Sequence, residues 1–387
     1  MIAAVPQERF RELVRAVCAN CYAPEDRRKY GEIEDWDTSE IEDFSSAFYG
    51  CAKTFNRDLS RWDTSRATNM SYMFAHAYAF NSPIGAWDVS RVRDMSCMFS
   101  NAFAFDSPIG DWDVGQVTNM YGMFWFAKAF HQPLANWDVS QVRDMSQMFR
   151  SAWAFNQPLE SWDVRQVRNM RCMFAETRDF DQPLGSWDVG RVRDMSRMFQ
   201  FTHRFNHPLG GWNVGQVTNM CGMFHGAWTF NQPLESWDVS RVRNMHCMFA
   251  ETRDFDQPLG RWDVGRVRDM SRMFQSARRF NQPLGRWDTA RVRNMGGMFH
   301  AFTAFNQDVE RWDTGRVTSL VNTFYATPAF DRPLERWDVS RVESAHHMLA
   351  RHRRPPRRWS SVYAPWYGGL CVAFPEDGDE EGHTLTS

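Results

Sequence analysis

WDVGRVRDMSRMFQSARRFNQPLGR, residues 262–286, decides how the rest of the chain is read, because the same sentence is written again and again. At 187–211 it reads WDVGRVRDMSRMFQFTHRFNHPLGG. Trp62, Trp87, Trp112, Trp137, Trp162, Trp187, Trp212, Trp237, Trp262, Trp287, Trp312 and Trp337 stand 25 residues apart, and Trp36 precedes the first of them by 26. This gives thirteen units, the last of which decays. An enzyme collects a few unlike groups around one pocket. A fixed period of this length instead marks an array whose units wall each other in.

Each unit is numbered from its Trp as position 1. Position 2 is Asp except at Asn213, position 6 is Val except at Ile41 and Ala67, and positions 9 and 12 are mostly Met. Position 13 is Phe, position 16 usually Ala or Thr, position 19 Phe, and position 23 Leu, Ile or Val. Positions 6, 9, 13 and 16 are spaced by three, four and three, which predicts one face of a short helix. Asp or Asn at position 8, as in Asp94, Asn119 and Asp144, is placed to cap it. The apolar–acidic–apolar start, Trp87–Asp88–Val89, predicts a short strand. Pro at position 22, as at Pro83, Pro108 and Pro133, suits a corner, since it cannot donate from mid-strand. The units are too small to fold alone, so each coil needs neighbours and the chain becomes a stack.

At 387 residues the length alone would suggest two or three domains, but the repeat makes 36–349 a single elongated one. Residues 1–35 read as an N-terminal helical cap, with Phe10, Leu13, Val14 and Val17 at helical spacing. Residues 350–387 read as an irregular C-terminal cap: the basic run RHRRPPRRW at 351–359, the apolar stretch at 362–374, and the acidic tail PEDGDEEGHTLTS. The formal net charge is −2 with the signs interleaved, so no global field draws the chain to nucleic acid. The eight cysteines do not suggest a disulfide scaffold. Cys97, Cys172 and Cys247 share position 11 but lie three coils apart, about 14 Å at a rung of about 4.8 Å. They read as spare thiols of a reducing place. No apolar run of membrane-spanning length and no basic start followed by an apolar stretch is evident, which leaves the compartment open.

The units resemble the tandem repeat of the BspA-type leucine-rich-repeat surface proteins, also described as a Mycoplasma-type repeat of unknown function. The shared pattern is W-D-V-S-x-V-x-N/D-M-x-x-M-F-x-x-A-x-x-F-N-x-P-L. Trp87, Asp88, Val89, Ser90, Val92, Asp94, Met95, Met98, Phe99, Ala102 and Phe105 carry it here. The resemblance covers 36 to about 349. It implies a right-handed leucine-rich-repeat-like α/β solenoid of about thirteen coils, each a short strand plus a short helix. It also implies non-catalytic roles in adhesion and protein binding at a surface.

Several columns could carry chemistry. A Trp column facing water would stack sugars or bases, but it shares a strand face with Val at position 3 and reads as core. The Met columns read as soft core packing. The acidic column at position 2 (Asp88, Asp113, Asp138, Asp163, Asp188, Asp238, Asp263 and Asp288) places like charges close together. It reads as a structural ladder answered by Arg at position 5 or 7 or by backbone N–H groups. Cys18 and Cys21 in CANC have the spacing of half a zinc site, with Cys51 a conceivable third ligand, and His346, His347 and His352 form a loose histidine group. Neither amounts to a metal centre, and no phosphate loop, HExxH helix or Ser–His–Asp set stands out. The chain is therefore expected to be no enzyme, with no cofactor and no small-molecule substrate.

Positions 10, 11, 14, 15, 17 and 18 vary most. Trp125, Phe126, Trp153, Trp228, Arg278 and Arg279 lie among them, and Phe302 replaces the usual small residue at position 16. Exposed aromatics and arginines are typical anchors, so these seven are the expected partner-binding residues. The expected function is a protein-binding or adhesion scaffold. A structural component of a particle or coat is the second reading, and an Arg-dependent nucleic-acid binder the third. Residues 162–211 and 237–286 are near copies, which points to duplication of three coils.

Overall fold

The computed structural model describes residues 2–51, 54–301 and 304–349. The 25-residue units form successive coils joined at position 8 by isolated parallel bridges, Asp94 to Asn119, Asn119 to Asp144, and on to Ser344. Positions 1–3 form no strand, and positions 6–16 form no helix.

The backbone explains why. Positions 11 and 15 have positive φ in coil after coil: 54° at Cys97 and 59° at Asn101, 56° at Arg272 and 55° at Ser276. A left-handed residue cannot continue a right-handed helix. The amides instead alternate between two duties. Those of positions 12, 14 and 16 close local turns, as Met98 on Met95, Ser100 on Cys97 and Ala102 on Phe99, at 3.0–3.2 Å. Those of positions 9, 11, 13 and 15 donate to the next coil, as Met95 to Asn119, Cys97 to Tyr121, Phe99 to Met123 and Asn101 to Trp125. Each left-handed residue costs about 1–2 kcal/mol. The hydrogen bond that it lets the backbone donate to the next coil offsets that cost. The three–four–three spacing is thus produced by linked turns that bring positions 6, 9, 13 and 16 into the core.

Position 8 caps nothing. Its Oδ1 accepts the N–H two residues on, as Asp94 from Ser96 at 2.8 Å, and fixes the first of these turns. Asp and Asn alternate along most of this column. Asn119, Asn169 and Asn219 each donate an amide N–H to the Oδ2 of the Asp one coil before, at 3.2–3.3 Å.

The core is a set of aligned columns. Val, both Met positions, both Phe positions and Leu are fully buried, and the indoles are only 2–4% exposed. Trp162 and Trp187 are parallel to within 2° with centroids 6.4 Å apart. Within one coil Phe99 stacks on Phe105 at 3.7 Å, and Phe99 meets Phe124 of the next coil at 5.8 Å. Each indole N–H of the position-1 column finds a partner: Trp187 Nε1 donates to the carbonyl of Leu159 at 2.9 Å, and Trp212 Nε1 to that of Leu184 at 2.9 Å. A second side-chain ladder runs at position 20, where the N–H of Asn231 is bonded by Asn206 Oδ1, that of Asp256 by Asn231, and that of Asn281 by Asp256.

At the N-terminus, α1 (Gln7–Cys18) and α2 (Pro24–Tyr30) lead through a 3-10 turn, Ile33–Asp35, into the first Trp. Phe10 packs edge-on against Trp36, Phe44 and Trp62 at 5.2–6.4 Å. Gln7 accepts the N–H groups of Glu42 and Asp43 and donates to the Asp43 carbonyl, all at 2.9 Å. Arg11 reaches the Ser45 carbonyl at 2.6 Å. Backbone groups that another coil would bond are thereby satisfied by the cap.

The cysteine reading needs correction. Cys18 at the end of α1 is joined by a disulfide to Cys51 of the first coil, their Cα atoms 5.4 Å apart. The cysteines are therefore not all free thiols, and in this form Cys18 and Cys21 cannot act together as half a zinc site. The repeat spacing hid the pair because Cys51 lies in the unit that carries the extra residue, off the position-11 column.

Candidate partner-binding ridge

The variable positions do not scatter. Position 17 forms one column across nine coils: Tyr78, Phe103, Lys128, Trp153, Arg178, His203, Trp228, Arg253 and Arg278. Backbone bonds hold parts of it in register, for the amides of Ala104, Ala129, Ala154 and Asp254 each donate to the position-17 carbonyl one coil back, as Ala129 to Phe103 at 3.2 Å and Asp254 to Trp228 at 3.1 Å. The side chains then stack along the axis. Tyr78 lies 4.8 Å from Phe103. The Lys128 ammonium sits between Phe103 and Trp153, 4.5 and 4.2 Å from their ring centres. Arg178 covers the other side of Trp153 at 5.7 Å. Further on, His203 stacks on Trp228 at 3.7 Å and Arg253 covers Trp228 at 3.8 Å. Aromatic and cationic groups so interleaved attract each other through the ring quadrupoles.

Trp153, Trp228 and Arg278 thus belong to one ridge, with Trp153 42% exposed. Trp125 and Phe126 sit at positions 14 and 15, half-buried and 6.1 Å apart, with Arg150 over the Trp125 ring at 5.6 Å. The Trp125 Nε1 atom is buried with no hydrogen-bond partner. Arg279 at position 18 pairs with Asp254 at 3.3 Å. Phe302 lies outside the described residues. Sequence reasoning named Trp153, Trp228 and Arg278 singly and missed Tyr78, Phe103, Lys128, Arg178, His203 and Arg253. Reading position 17 straight down the units would have found them.

The acidic column is not a ladder between coils. Each carboxylate closes its own turn: Asp88 accepts from Ser90, Asp113 from Gly115, Asp138 from Ser140 and Asp163 from Arg165, at 3.0–3.1 Å. Asp188, Asp238, Asp263 and Asp288 do the same with Gly190, Ser240, Gly265 and Ala290. The Ser90 hydroxyl and amide hold the Asp88 carboxyl below the ordinary carboxylate range, as those of Ser240 do for Asp238. For Asp163 the chief cause is the Arg165 side chain. Of the position-5 and position-7 arginines, only Arg66 forms an ion pair, with Glu42, among the described residues.

The thiols of the position-11 column are held in the protonated state. Burial pushes Cys97 up to about 11, and Cys247, 3.2 Å from His246 Nε2, up to about 11 as well. A nucleophilic cysteine needs the opposite shift. Among the described residues no three His, Cys, Asp or Glu side chains converge to hold a metal ion, and no helix is long and apolar enough to cross a membrane.

Bridged coils, buried aromatic columns and a satisfied N-terminal end define a tandem-repeat solenoid. The family described as Mycoplasma protein of unknown function, DUF285, matches in four successive segments, 18–134, 104–208, 183–281 and 257–359, and the chain belongs to that family. No curated protein matches the chain. A solved structure of an LRR protein of Leptospira interrogans aligns over 81% of this chain and 93% of its own at 6% identity, with a TM-score of 0.19.

Proposed function

We propose that the protein is a non-enzymatic scaffold that binds a partner protein along the position-17 ridge. The single observation behind this reading is the continuity of that column. Aromatic and guanidinium groups sit on consecutive rungs, and such side chains dominate binding energy where proteins meet. Their mutual stacking holds the rings before any partner arrives, which lowers the ordering cost of association. A repeat array suits the role because its surface extends without a new fold being needed. The right-handed winding and the adhesive surface role implied by the BspA-type resemblance belong to the same proposal.

The test compares the proteins retained by the wild-type chain with those retained by a Phe103→Ser/Trp153→Ser/Trp228→Ser variant, with circular dichroism to verify folding. Loss of a defined subset from the variant is expected. Identical retained sets would remove the ridge from the binding reading.

A further inference from the structure

A different strip of the solenoid gathers arginines, with Asp338 and Glu343 at its far end. Positions 5 and 7 flank the buried Val of position 6, so both side chains project outward. Along the last coils these positions hold Arg268, Arg291, Arg293, Arg316 and Arg341, which line one open groove with Asp313 and Thr318. None of these five guanidiniums makes an ion pair or a side-chain hydrogen bond with a described residue. Elsewhere in these columns Arg66 pairs with Glu42, Arg191 bonds Gln166 and Arg241 bonds Gln216, while the other arginines also stand without such a partner among the described residues; what sets the last coils apart is that five guanidiniums line one groove. Further toward the N-terminus the cations are diluted by Gln116, Thr118, Gln141 and Gln166.

Asp313, whose Oδ1 accepts the Gly315 amide at 2.9 Å, is the one carboxylate among the residues lining the groove, against five guanidiniums. Five like charges at rungs of about 4.8 Å raise a local positive potential that an anion would relieve. The planar guanidinium fork fits oxyanions with two parallel hydrogen bonds. The groove runs along the stack, so it suits a linear ligand with anionic groups at intervals. It is lined by no aromatic residue, and unpaired bases need such a stacking surface. Thr318 and Asp313 instead offer oxygens for hydroxyl groups.

We propose that this groove binds a linear sulfated polysaccharide, with sulfates on Arg291, Arg293 and Arg316 and sugar hydroxyls on Asp313 and Thr318. The site is separate from the ridge and stands or falls independently of it.

The test uses the full chain and a size-defined heparin octasaccharide, with affinity followed by titration calorimetry at several salt concentrations. Wild-type binding is expected to weaken steadily as salt rises, through counterion release. An Arg291→Gln/Arg293→Gln/Arg316→Gln variant should bind at least tenfold more weakly and with a shallower salt dependence. The Lys triple variant, which keeps charge and loses the fork, should fall between them. Trp153→Ser/Trp228→Ser should bind as wild type, and desulfated octasaccharide should not bind. Three results would each overturn the proposal: undiminished binding by the Gln variant, no binding at low salt, or equally tight binding of single-stranded or duplex DNA of matched charge.

Discussion

The indole Nε1 of Trp187 donates to the carbonyl oxygen of Leu159, 28 residues earlier, at 2.9 Å. The same oxygen also accepts the backbone N–H of Trp162 at 3.1 Å. One carbonyl therefore closes the corner of its own coil and anchors the ring of the next. The period of the sequence and the spacing of the stack meet in this atom.

Replacing Trp187 by Phe tests that anchor. The substitution removes the inter-coil hydrogen bond and part of a fully packed ring, but leaves Leu159 its backbone partner. Together these cost about 2–3 kcal/mol. Urea denaturation should show a lower midpoint, and a Trp187→Ala chain a loss of about 3–5 kcal/mol. A midpoint unchanged in the Phe variant would mean that the indole bond carries no stability.

Gly222 separates the turn architecture from the helix that the spacing suggests. In a helix, Gly222→Ala would stabilise by about 1 kcal/mol. Here Gly222 has a φ of +60°, and an added Cβ would lie 3.3 Å from Arg197 Cγ. The variant should lose about 1 kcal/mol, since L-residues tolerate this conformation poorly. A higher melting temperature would contradict the turn assignment.

Acid should loosen the stack in two stages. Burial lowers His225 and His246 from 6.5, and hydrogen bonds lower Asp88, Asp163 and Asp238 from 3.8. In both sets the folded chain releases its protons more readily than the unfolded chain. The stabilisation is therefore complete above the ordinary values and is lost as pH falls towards the lowered ones. Melting temperature should begin to fall below about 6.5 and again below about 3.8. His225→Gln/His246→Gln should diminish the first stage, to which His203 and His300, lowered by burial in the same way, also contribute, and leave the second. A first stage of undiminished size in that variant would exclude these two histidines as its source.

Thiol labelling follows burial. Cys21 is exposed, whereas Cys97 and Cys172 are buried and Cys247 is half-buried with its thiol pushed up to about 11. At neutral pH iodoacetamide should modify Cys21 in the native chain and the other three only after denaturation, as read by peptide mass spectrometry. Rapid native labelling of Cys97 would show that its coil opens.

The sequence displays the array openly, since Trp and Phe at fixed intervals can be buried together only by stacking. It hides the path of the chain inside one coil. Met95, Phe99 and Ala102 are spaced as on a helix, and only the sign of φ at Cys97 and Asn101 tells the two backbones apart. That sign is not written in Cys or Asn, although Gly122, Gly222 and Gly297 at position 11 hint at it. The ridge was half legible: Trp153 and Trp228 stand out by type, while Lys128 and Arg253 matter only through the rings that they touch. The disulfide was not legible, because Cys18 lies outside the period and Cys51 lies in the unit with an added residue.

The alternation at position 8 has a consequence for how such a chain can lengthen. Asp94, Asn119, Asp144, Asn169, Asp194 and Asn219 follow a two-coil rhythm, and copying an odd number of coils must break its parity once. The break falls between Asn219 and Asn244, where the near-copied blocks meet, and places two neutral amides side by side. Had the copied segment begun and ended on Asp, two carboxylates would face each other at the seam. Growth by threes is therefore less costly in the frame whose outer coils carry Asn.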